Sequence, residues 1–187
     1  MDSPKPSNQN ILKQNTTNMI FYGDSFTKTS FFTREIPNWE IPIFYFDFDL
    51  QYTGFVRSGM TQEMKNLTLF CPDSNSLRED LKSVIAKITK ERSLIIVDSL
   101  NGFFNVLEGN KDVGRLVNSF VMLLVSAANH TKSTIMIGAL SRLNEDRRVL
   151  YNTGRSVIDN EHFTKIQLTR KENKTLATPL NSDNSSD

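Results

Sequence analysis

The residue types needed to bind phosphate lie together in the stretch NMIFYGDSFTKTS, residues 18–30. A phosphate-binding loop has the pattern G-x-x-x-x-G-K-[ST], in which the glycines let backbone N–H groups approach the phosphates. Lys28 and Thr29 stand at the lysine and hydroxyl positions, whereas Tyr22 and Thr27 replace the two glycines. The stretch therefore predicts a strand that runs into a damaged phosphate-binding loop. The alternative is an ordinary turn, rich in hydroxyl residues, that caps a helix.

The replaced glycines predict weakened nucleotide binding. A side chain forced into the left-handed conformation costs roughly 1–2 kcal/mol, so two replacements would lower the affinity by about tenfold to thousandfold. Gly23 lies one place after the first glycine position and does not restore the pattern. The lysine charge and the threonine hydroxyl would still be present to contact phosphate and metal.

Two further segments end in acids that could bind a metal ion or orient a water molecule. SLIIVDSLNGFF, residues 93–104, is an apolar run closed by Asp98, which predicts a strand buried in a parallel sheet. PIFYFDFDLQYT, residues 42–53, predicts a second strand ending in Asp47 and Asp49, whose spacing places them on the same side. Carboxylates at the carboxyl ends of parallel strands are placed to hold Mg²⁺. Alternatively, Asp98 caps the next turn and the other two acids lie at a solvated strand end.

The order and spacing of these segments resemble the RecA/RadA recombinase and KaiC class of P-loop ATPases over roughly residues 18–180. IIVDS resembles the metal-binding strand of that family, FDFDLQ the strand that carries the general base, and IMIGALSR (residues 135–142) the sensor strand. The resemblance implies an α/β fold, a three-layer sandwich with a mostly parallel central sheet and a C-terminal β-hairpin. It also implies a phosphate-binding set made of Gly23, Asp24, Ser25, Lys28, Thr29 and Ser30.

The same resemblance implies roles for the remaining candidates. Thr29 and Asp98 would hold Mg²⁺, Asp49 would position the attacking water, and Ser141, or its neighbour Arg142, would be the polar sensor. ATP and Mg²⁺ are the expected cofactors, and the expected assembly is a homo- or hetero-oligomer with RecA-fold proteins. The family usually has a glutamate where Asp49 stands, which adds to the expectation of an impaired site.

A basic segment, residues 141–160, follows the sensor-like strand. In recombinases the loop at this place contacts single-stranded DNA, so the resemblance implies an interface for single-stranded DNA or RNA. Its arginines and Tyr151 are the mixture that follows phosphates and stacks bases. The acids Glu145, Asp146 and Asp159 offset most of this charge, and a solvated loop with local ion pairs is the alternative. The candidate nucleic-acid-binding residues are Arg142, Arg147, Arg148 and Arg155.

Two helices and a hairpin are predicted around these motifs. Residues 76–91 and 112–129 each place apolar side chains on one helix face. Ser76 and Glu79 predict a capping box at the start of the first helix. Residues 164–177, with a KEN turn, predict the C-terminal hairpin.

Composition predicts one domain in a reducing compartment. The chain has 187 residues, a net charge of +1 and one cysteine, which excludes an internal disulfide and favours a cytoplasmic location. It has no apolar run of membrane-spanning length, so no membrane partner is expected. Residues 1–17 and 181–187 are polar and predict disordered tails on either side of a single RecA-like domain at 18–180.

Three functions remain open from the sequence. The first is a RecA-class ATPase of DNA repair or recombination with an impaired nucleotide site. The second is a non-hydrolysing scaffold subunit, resembling the accessory subunits of Elongator, that assembles with partners and binds RNA. The third is a KaiC-like ATP-binding regulator, which uses the same core as the first.

Overall fold

The computed structural model describes residues 11–144, 147–151, 160, 162–172 and 174–180. The strands are β1 (Thr17–Tyr22), β2 (Ile43–Asp47), β3 (Leu67–Phe70), β4 (Leu94–Asp98), β5 (Thr134–Asn144), β6 (Arg147–Leu150), β7 (Thr164–Lys171) and β8 (Lys174–Pro179). The helices are α1 (Ser25–Glu35), α2 (Gln51–Arg57), α3 (Leu77–Ile88), α4 (Leu100–Val106) and α5 (Val113–His130).

The strands form one sheet in the order β3-β2-β4-β5-β1-β7-β8, and β6 pairs with the extended end of β5. Every neighbouring pair from β3 to β7 is parallel, while β7–β8 and β5–β6 are antiparallel. The continuous apolar runs explain this arrangement, because strands buried on both faces suit a parallel sheet. The predicted mostly parallel sheet and C-terminal hairpin are confirmed.

Helices cover both faces of the sheet and enclose two apolar cores. Helices α3, α4 and α5 pack on one face, with Phe46 and Val97 of the sheet in that core. Helices α1 and α2 pack on the other face, with Tyr45 and Ile96 in the second core. Alternate residues of each strand therefore point to opposite helical layers, and the predicted three-layer architecture is confirmed.

The predicted capping box of α3 is wrong. Ser76 precedes the helix without capping it, and its hydroxyl accepts a hydrogen bond from Asp73 N–H. Asp73 instead accepts hydrogen bonds from the N–H groups of Asn75 and Ser76. Glu79 pairs with Lys82. The chain turns before the helix around Asp73, because its short carboxylate reaches the N–H groups two and three residues ahead.

The two predicted tails lie largely outside the described residues, which exclude 1–10 and 181–187. Within residues 11–17, Leu12 is buried in the core beside α1 and Thr17 begins β1. The domain division stays a prediction. Of the helices in the described ranges, none has the length and apolar character required to cross a bilayer.

Candidate functional site

The carboxyl edge of the sheet brings three of the predicted site residues into contact. Lys28 reaches this edge from α1, Asp98 ends β4, and Asp49 lies in the turn between β2 and α2. Lys28 Nζ contacts Asp98 Oδ1 at 2.5 Å and Asp49 Oδ2 at 3.3 Å. The Lys28 and Asp98 side chains are fully buried, while the Asp49 side chain is 24% exposed. The lysine charge is therefore neutralised inside the protein.

Opposing effects act on the pKa of Asp98. Burial raises the pKa of its carboxyl to about 6, against the lowering effect of Lys28 and of a hydrogen bond from Tyr45. The Tyr45 hydroxyl donates to Asp98 Oδ2 at 2.5 Å. Tyr45 is itself fully buried, and burial followed by the nearby Asp98 charge raises the pKa of its hydroxyl. Sequence reasoning missed Tyr45, because its partner lies 53 residues away along the chain.

Tyr22, which stands where the pattern has its first glycine, packs against Lys28 from the end of β1. Its ring lies 5.5 Å from Lys28 Nζ, a cation–π distance. Burial and then the charge of Asp98 raise the pKa of its hydroxyl. Gly138 of β5 lies beside this ring, and a Cβ added there would be 3.4 Å from it, an ordinary van der Waals contact. The tyrosine is thus a fitted part of the core.

The connection between β1 and α1 is a short turn, where the pattern requires a long loop. Only Gly23 and Asp24 separate the two elements. The Asp24 carboxylate caps α1, accepting hydrogen bonds from Thr27 N–H at 2.8 Å and from the Thr27 hydroxyl at 2.6 Å. Slight burial opposes these contacts, but the two Thr27 hydrogen bonds and the Arg170 charge hold the pKa of Asp24 below its ordinary value. An internal carboxylate therefore occupies the end of the helix where an anion would bind.

The other predicted loop residues lie within α1. Lys28 and Thr29 are its fourth and fifth residues, and the Thr29 hydroxyl contacts Ser25 O at 2.9 Å and Gln51 Oε1 at 3.1 Å. Ser30 is half-buried one residue further along the helix. Gly23 has no positive φ, and an added Cβ there would meet nothing within 4 Å. Its backbone consequently has neither the conformation nor the close contact that would require glycine.

The sequence predicted that the two acids at the end of β2 lie on the same side of a strand, and this prediction is wrong. The strand ends at Asp47, and a turn through Leu50, at φ 57°, leads into α2. Asp47 is buried, and its Oδ2 accepts hydrogen bonds from Thr53 N–H and the Thr53 hydroxyl, both at 2.7 Å. Asp49 turns the other way and accepts a hydrogen bond from Ser99 at 2.7 Å. The strand was expected to reach Asp49, but it ends at Asp47 and the chain then folds back as α2.

A cavity of about 260 Å³ opens above this cluster at the carboxyl edge of the sheet. Among the described residues, its lining is composed of hydroxyl, amide, apolar and aromatic side chains with one carboxylate, that of Asp49, and no lysine or arginine. The lining includes Tyr22, Ser25, Asp49, Gln51, Ser99 and Tyr151. Lys28 lies beneath this surface with no exposed side-chain area.

The sensor-like strand is longer than expected. Ser141 is buried in β5, which continues to Asn144 and pairs with β6 as a hairpin, where the sequence predicted a loop. Arg142 is exposed and stacks over Tyr151 at 5.5 Å. Arg147 and Arg148 lie in β6, and Arg155 falls outside the described residues. The nucleic-acid role of all four arginines stays a prediction.

The arrangement of elements identifies the fold by comparison with solved structures. The crystal structure of the RadB recombinase aligns with 90% of this chain over 81% of its own chain. The sequence identity is 12% and the TM-score is 0.60. The chain has a RecA-like fold. The KaiC-like protein PH0186 from the hyperthermophilic archaea Pyrococcus horikoshii OT3 matches over 90% of this chain and 79% of its own, at 12% identity and a TM-score of 0.47. No protein-family model and no curated protein matches the sequence.

The RecA-like fold does not by itself supply a nucleotide site, and the residues present do not fit Mg-ATP as they are arranged. Asp98 is already bonded to Lys28 and Tyr45, and Thr29 is bonded to Ser25 and Gln51. Among the described residues, no group of three or more His, Cys, Asp or Glu side chains could hold a metal ion by itself, whereas Mg²⁺ bound with ATP needs only one or two carboxylates. A phosphate would have to displace the Asp24 carboxylate and break a buried ion pair.

Close packing of α4 against the turn that carries Asp49 leads to a prediction for Gly102→Ala. The new Cβ would lie 2.7 Å from Phe48 Cβ and would also overlap Asp49 Oδ1, so we expect a loss of about 1–3 kcal/mol in the free energy of unfolding. Urea denaturation measures this loss. The matched control is Gly54→Ala in α2, where an added Cβ meets nothing within 4 Å. The control should be neutral or stabilising by about 0.5–1 kcal/mol, and equal effects of the two variants would contradict the packing argument.

Proposed function

We propose that this chain is a RecA-fold scaffold subunit with an internally closed nucleotide site, which does not hydrolyse ATP and acts by assembling with partner proteins or RNA. The observation that carries the proposal is the buried Lys28–Asp98 ion pair. A lysine that must contact phosphate is useful only if it is accessible. Here that lysine side chain is fully buried and has two carboxylate partners.

The charge balance around Lys28 supports the same conclusion. Two carboxylates, those of Asp49 and Asp98, contact Lys28 at the carboxyl edge of the sheet. The only exposed charge among them belongs to Asp49, at the wall of the cavity. A polyphosphate that entered the cavity would meet this negative charge before it met the lysine, and like charges at close range repel.

Calorimetric titration of the protein with Mg-ATP tests the proposal. We expect no saturable heat up to millimolar nucleotide and no phosphate release above the buffer rate, because both the helix end and the lysine are already satisfied by carboxylates. Asp49→Asn is the matched variant, since it removes the one exposed carboxylate and leaves Asp98 to pair with Lys28. Micromolar Mg-ATP binding by the unmodified protein, together with turnover that Asp49→Asn abolishes, would overturn the closed-site proposal.

A second candidate is a weak ATP-binding protein of DNA repair or recombination. It is supported by the meeting of Lys28, Asp49 and Asp98 at one edge of a RecA-like fold, and by the fold likeness to a protein named a recombinase. Tyr151 lines the cavity and stacks with the exposed Arg142, and such a pair suits a nucleic-acid strand. If this candidate is right, the protein binds single-stranded DNA. The affinity should fall as the salt concentration rises, and it should also fall in the variant Arg142→Glu.

A further inference from the structure

A cavity of about 360 Å³, the amino-edge cavity, lies at the edge of the sheet opposite to the Lys28 cluster. Its wall is built from the segments that precede β1, β2 and β4 and from the end of α1. Small-molecule sites in proteins have volumes of roughly 300–1,000 Å³, so this cavity is large enough to hold a small ligand. Its lining includes Leu12, Glu35, Trp39, Glu40, Ile41 and Arg92.

Glu35 is a buried acid at a position that disfavours a negative charge. It is the last residue of α1 and is 4% exposed. Burial is costly for a carboxylate, and the C-terminus of a helix carries a partial negative charge that adds to this cost. Arg34 Nε lies 3.8 Å from Glu35 Oε1, on a side chain that is 46% exposed. Burial raises the pKa of Glu35 against the effects of Arg34 and of a hydrogen bond with Asn38. The internal partners therefore compensate the charge only in part.

Glu40 and Arg92 add two opposite charges to the wall of the cavity. Both side chains are exposed. Glu40 makes no ion pair with any other described residue. One terminal nitrogen of Arg92 donates a hydrogen bond to Gln14 Oε1 at 2.8 Å, which orients the guanidinium and leaves its other N–H groups to bind an anion. The cavity can thus bind a cation at each glutamate and a carboxylate at the arginine.

The apolar part of the wall suits a chain of methylene groups. Trp39 is half-buried and packs with Leu12 and Ile41 on the core that faces α1. An indole ring offers a large flat apolar surface, and its face also attracts an ammonium or guanidinium group. A ligand with an aliphatic stem and a cationic end would therefore bury its stem against Trp39.

The charges of the cavity are the reverse of those of a basic amino acid. The cavity has two carboxylates and one guanidinium, whereas arginine and lysine each have two cationic groups and one carboxylate. A diamine would leave Arg92 without a partner, and a neutral amino acid would leave one glutamate without a cation. A nucleotide would bring its phosphates against two carboxylates, and like charges at close range repel.

We propose that the amino-edge cavity binds a free basic amino acid of the arginine type. The side-chain cation is placed at Glu35, the carboxylate at Arg92, the α-ammonium at Glu40 and the aliphatic stem against Trp39. The site is independent of the closed nucleotide site, which lies at the opposite edge of the sheet, and its failure would leave the closed-site proposal unchanged.

Calorimetric titration of the full chain with L-arginine tests the site. We expect saturable binding at micromolar to millimolar affinity. Three analogues each lack one charge: L-citrulline lacks the side-chain cation, agmatine the carboxylate and N-acetyl-L-arginine the α-ammonium. Each should bind at least about tenfold more weakly than L-arginine, because one charged group of the wall then has no partner. N-acetyl-L-arginine also represents the C-terminal arginine of a peptide, so its weaker binding distinguishes a free amino acid from a peptide end.

Matched variants assign each contact to its residue. Arg92→Gln should weaken L-arginine but not agmatine, and Glu40→Gln should weaken L-arginine but not N-acetyl-L-arginine. Glu35→Gln should remove the preference for L-arginine over L-citrulline. The control is Glu91→Gln, an exposed glutamate next to Arg92 in the sequence, which should bind L-arginine like the unmodified protein. Circular dichroism and urea midpoints establish that the variants are folded.

Two results would overturn the proposal. The first is the absence of saturable L-arginine binding by the unmodified protein up to millimolar ligand. The second is an analogue that binds as tightly as L-arginine, because the missing charge would then make no contact in the cavity. A Glu91→Gln variant that loses binding as fully as Arg92→Gln would contradict the assignment of the carboxylate to Arg92.

Discussion

Replacing Lys28 by methionine should destabilise the fold by about 3–5 kcal/mol, the cost of leaving a buried charge without its partner. Methionine preserves most of the length and the apolar stem of the lysine, so the packing against Tyr22 changes little. The contacts with Asp98 and Asp49 are lost, and among the described residues the buried Asp98 carboxylate then keeps the Tyr45 hydroxyl as its side-chain hydrogen-bond donor. The free energy of unfolding, measured by urea or guanidinium denaturation at neutral pH, gives the size of the loss.

The partner substitution separates this effect from any general intolerance at the site. In Lys28→Met/Asp98→Asn both buried charges are absent, and the introduced amide still offers an oxygen to the Tyr45 hydroxyl. We therefore expect the double variant to recover a large part of the stability that the single variant loses. Lys82→Met is the control, because it breaks an exposed ion pair with Glu79 and should not change stability measurably. A Lys28→Met protein as stable as its parent would show that the ion pair does not hold this site together.

The fold was largely predictable because short local segments determine its strands. The run Leu94–Val97 followed by Asp98 has the length and composition of a doubly buried strand, and the observed β4 has the same bounds with Asp98 as its last residue. Two amphipathic patterns likewise predicted α3 and α5 to within a few residues. Periodicity predicts such elements because each is stabilised by packing one continuous face.

The candidate site was predicted less well, because its sequence is compatible with more than one local structure. A lysine-threonine pair after a strand is compatible both with a phosphate loop and with a capped helix. Asp24 favours the helix, since its carboxylate bonds to the N–H and the hydroxyl of Thr27. No local pattern indicated that Tyr45 would bond to Asp98, or that Gln51 would bond to Thr29, since both contacts depend on tertiary packing. Helix α2 was missed because no element was predicted directly after the strand that was expected to end at Asp49.

These contacts explain how one set of residues can resemble an ATPase motif and yet form part of a core. Lysine, threonine and aspartate at the carboxyl edge provide charge and hydroxyl groups that either bind a ligand or satisfy one another. Tyr22, at the first glycine position of the pattern, is buried and packs against Lys28, whose charge is paired with Asp98 and Asp49.

Stability should also rise as the pH falls from about 7 to about 5, which is opposite to the usual behaviour of proteins with stabilising carboxylates. Burial raises the folded-state pKa of Asp98 to about 6 despite Lys28, against an ordinary value of 3.8. As the pH falls through 6 the folded protein takes up a proton that the unfolded chain does not bind, so folding gains free energy. The gain is at most roughly 3 kcal/mol and is complete near pH 4, where the unfolded carboxyl is also protonated.

Urea denaturation of the parent and of Asp98→Asn across this range isolates the Asp98 contribution. Glu35, whose pKa is raised by burial against the lowering effect of Arg34, adds to the same trend and is common to both proteins. Below about pH 4, Asp24 acts in the opposite direction, because its pKa is lowered and protonation weakens the cap of α1. The difference between the two proteins should therefore change between about pH 7 and about pH 5 and level off below. If the two profiles run parallel, Asp98 has no raised pKa, and its carboxylate is then fully compensated by Lys28 and Tyr45.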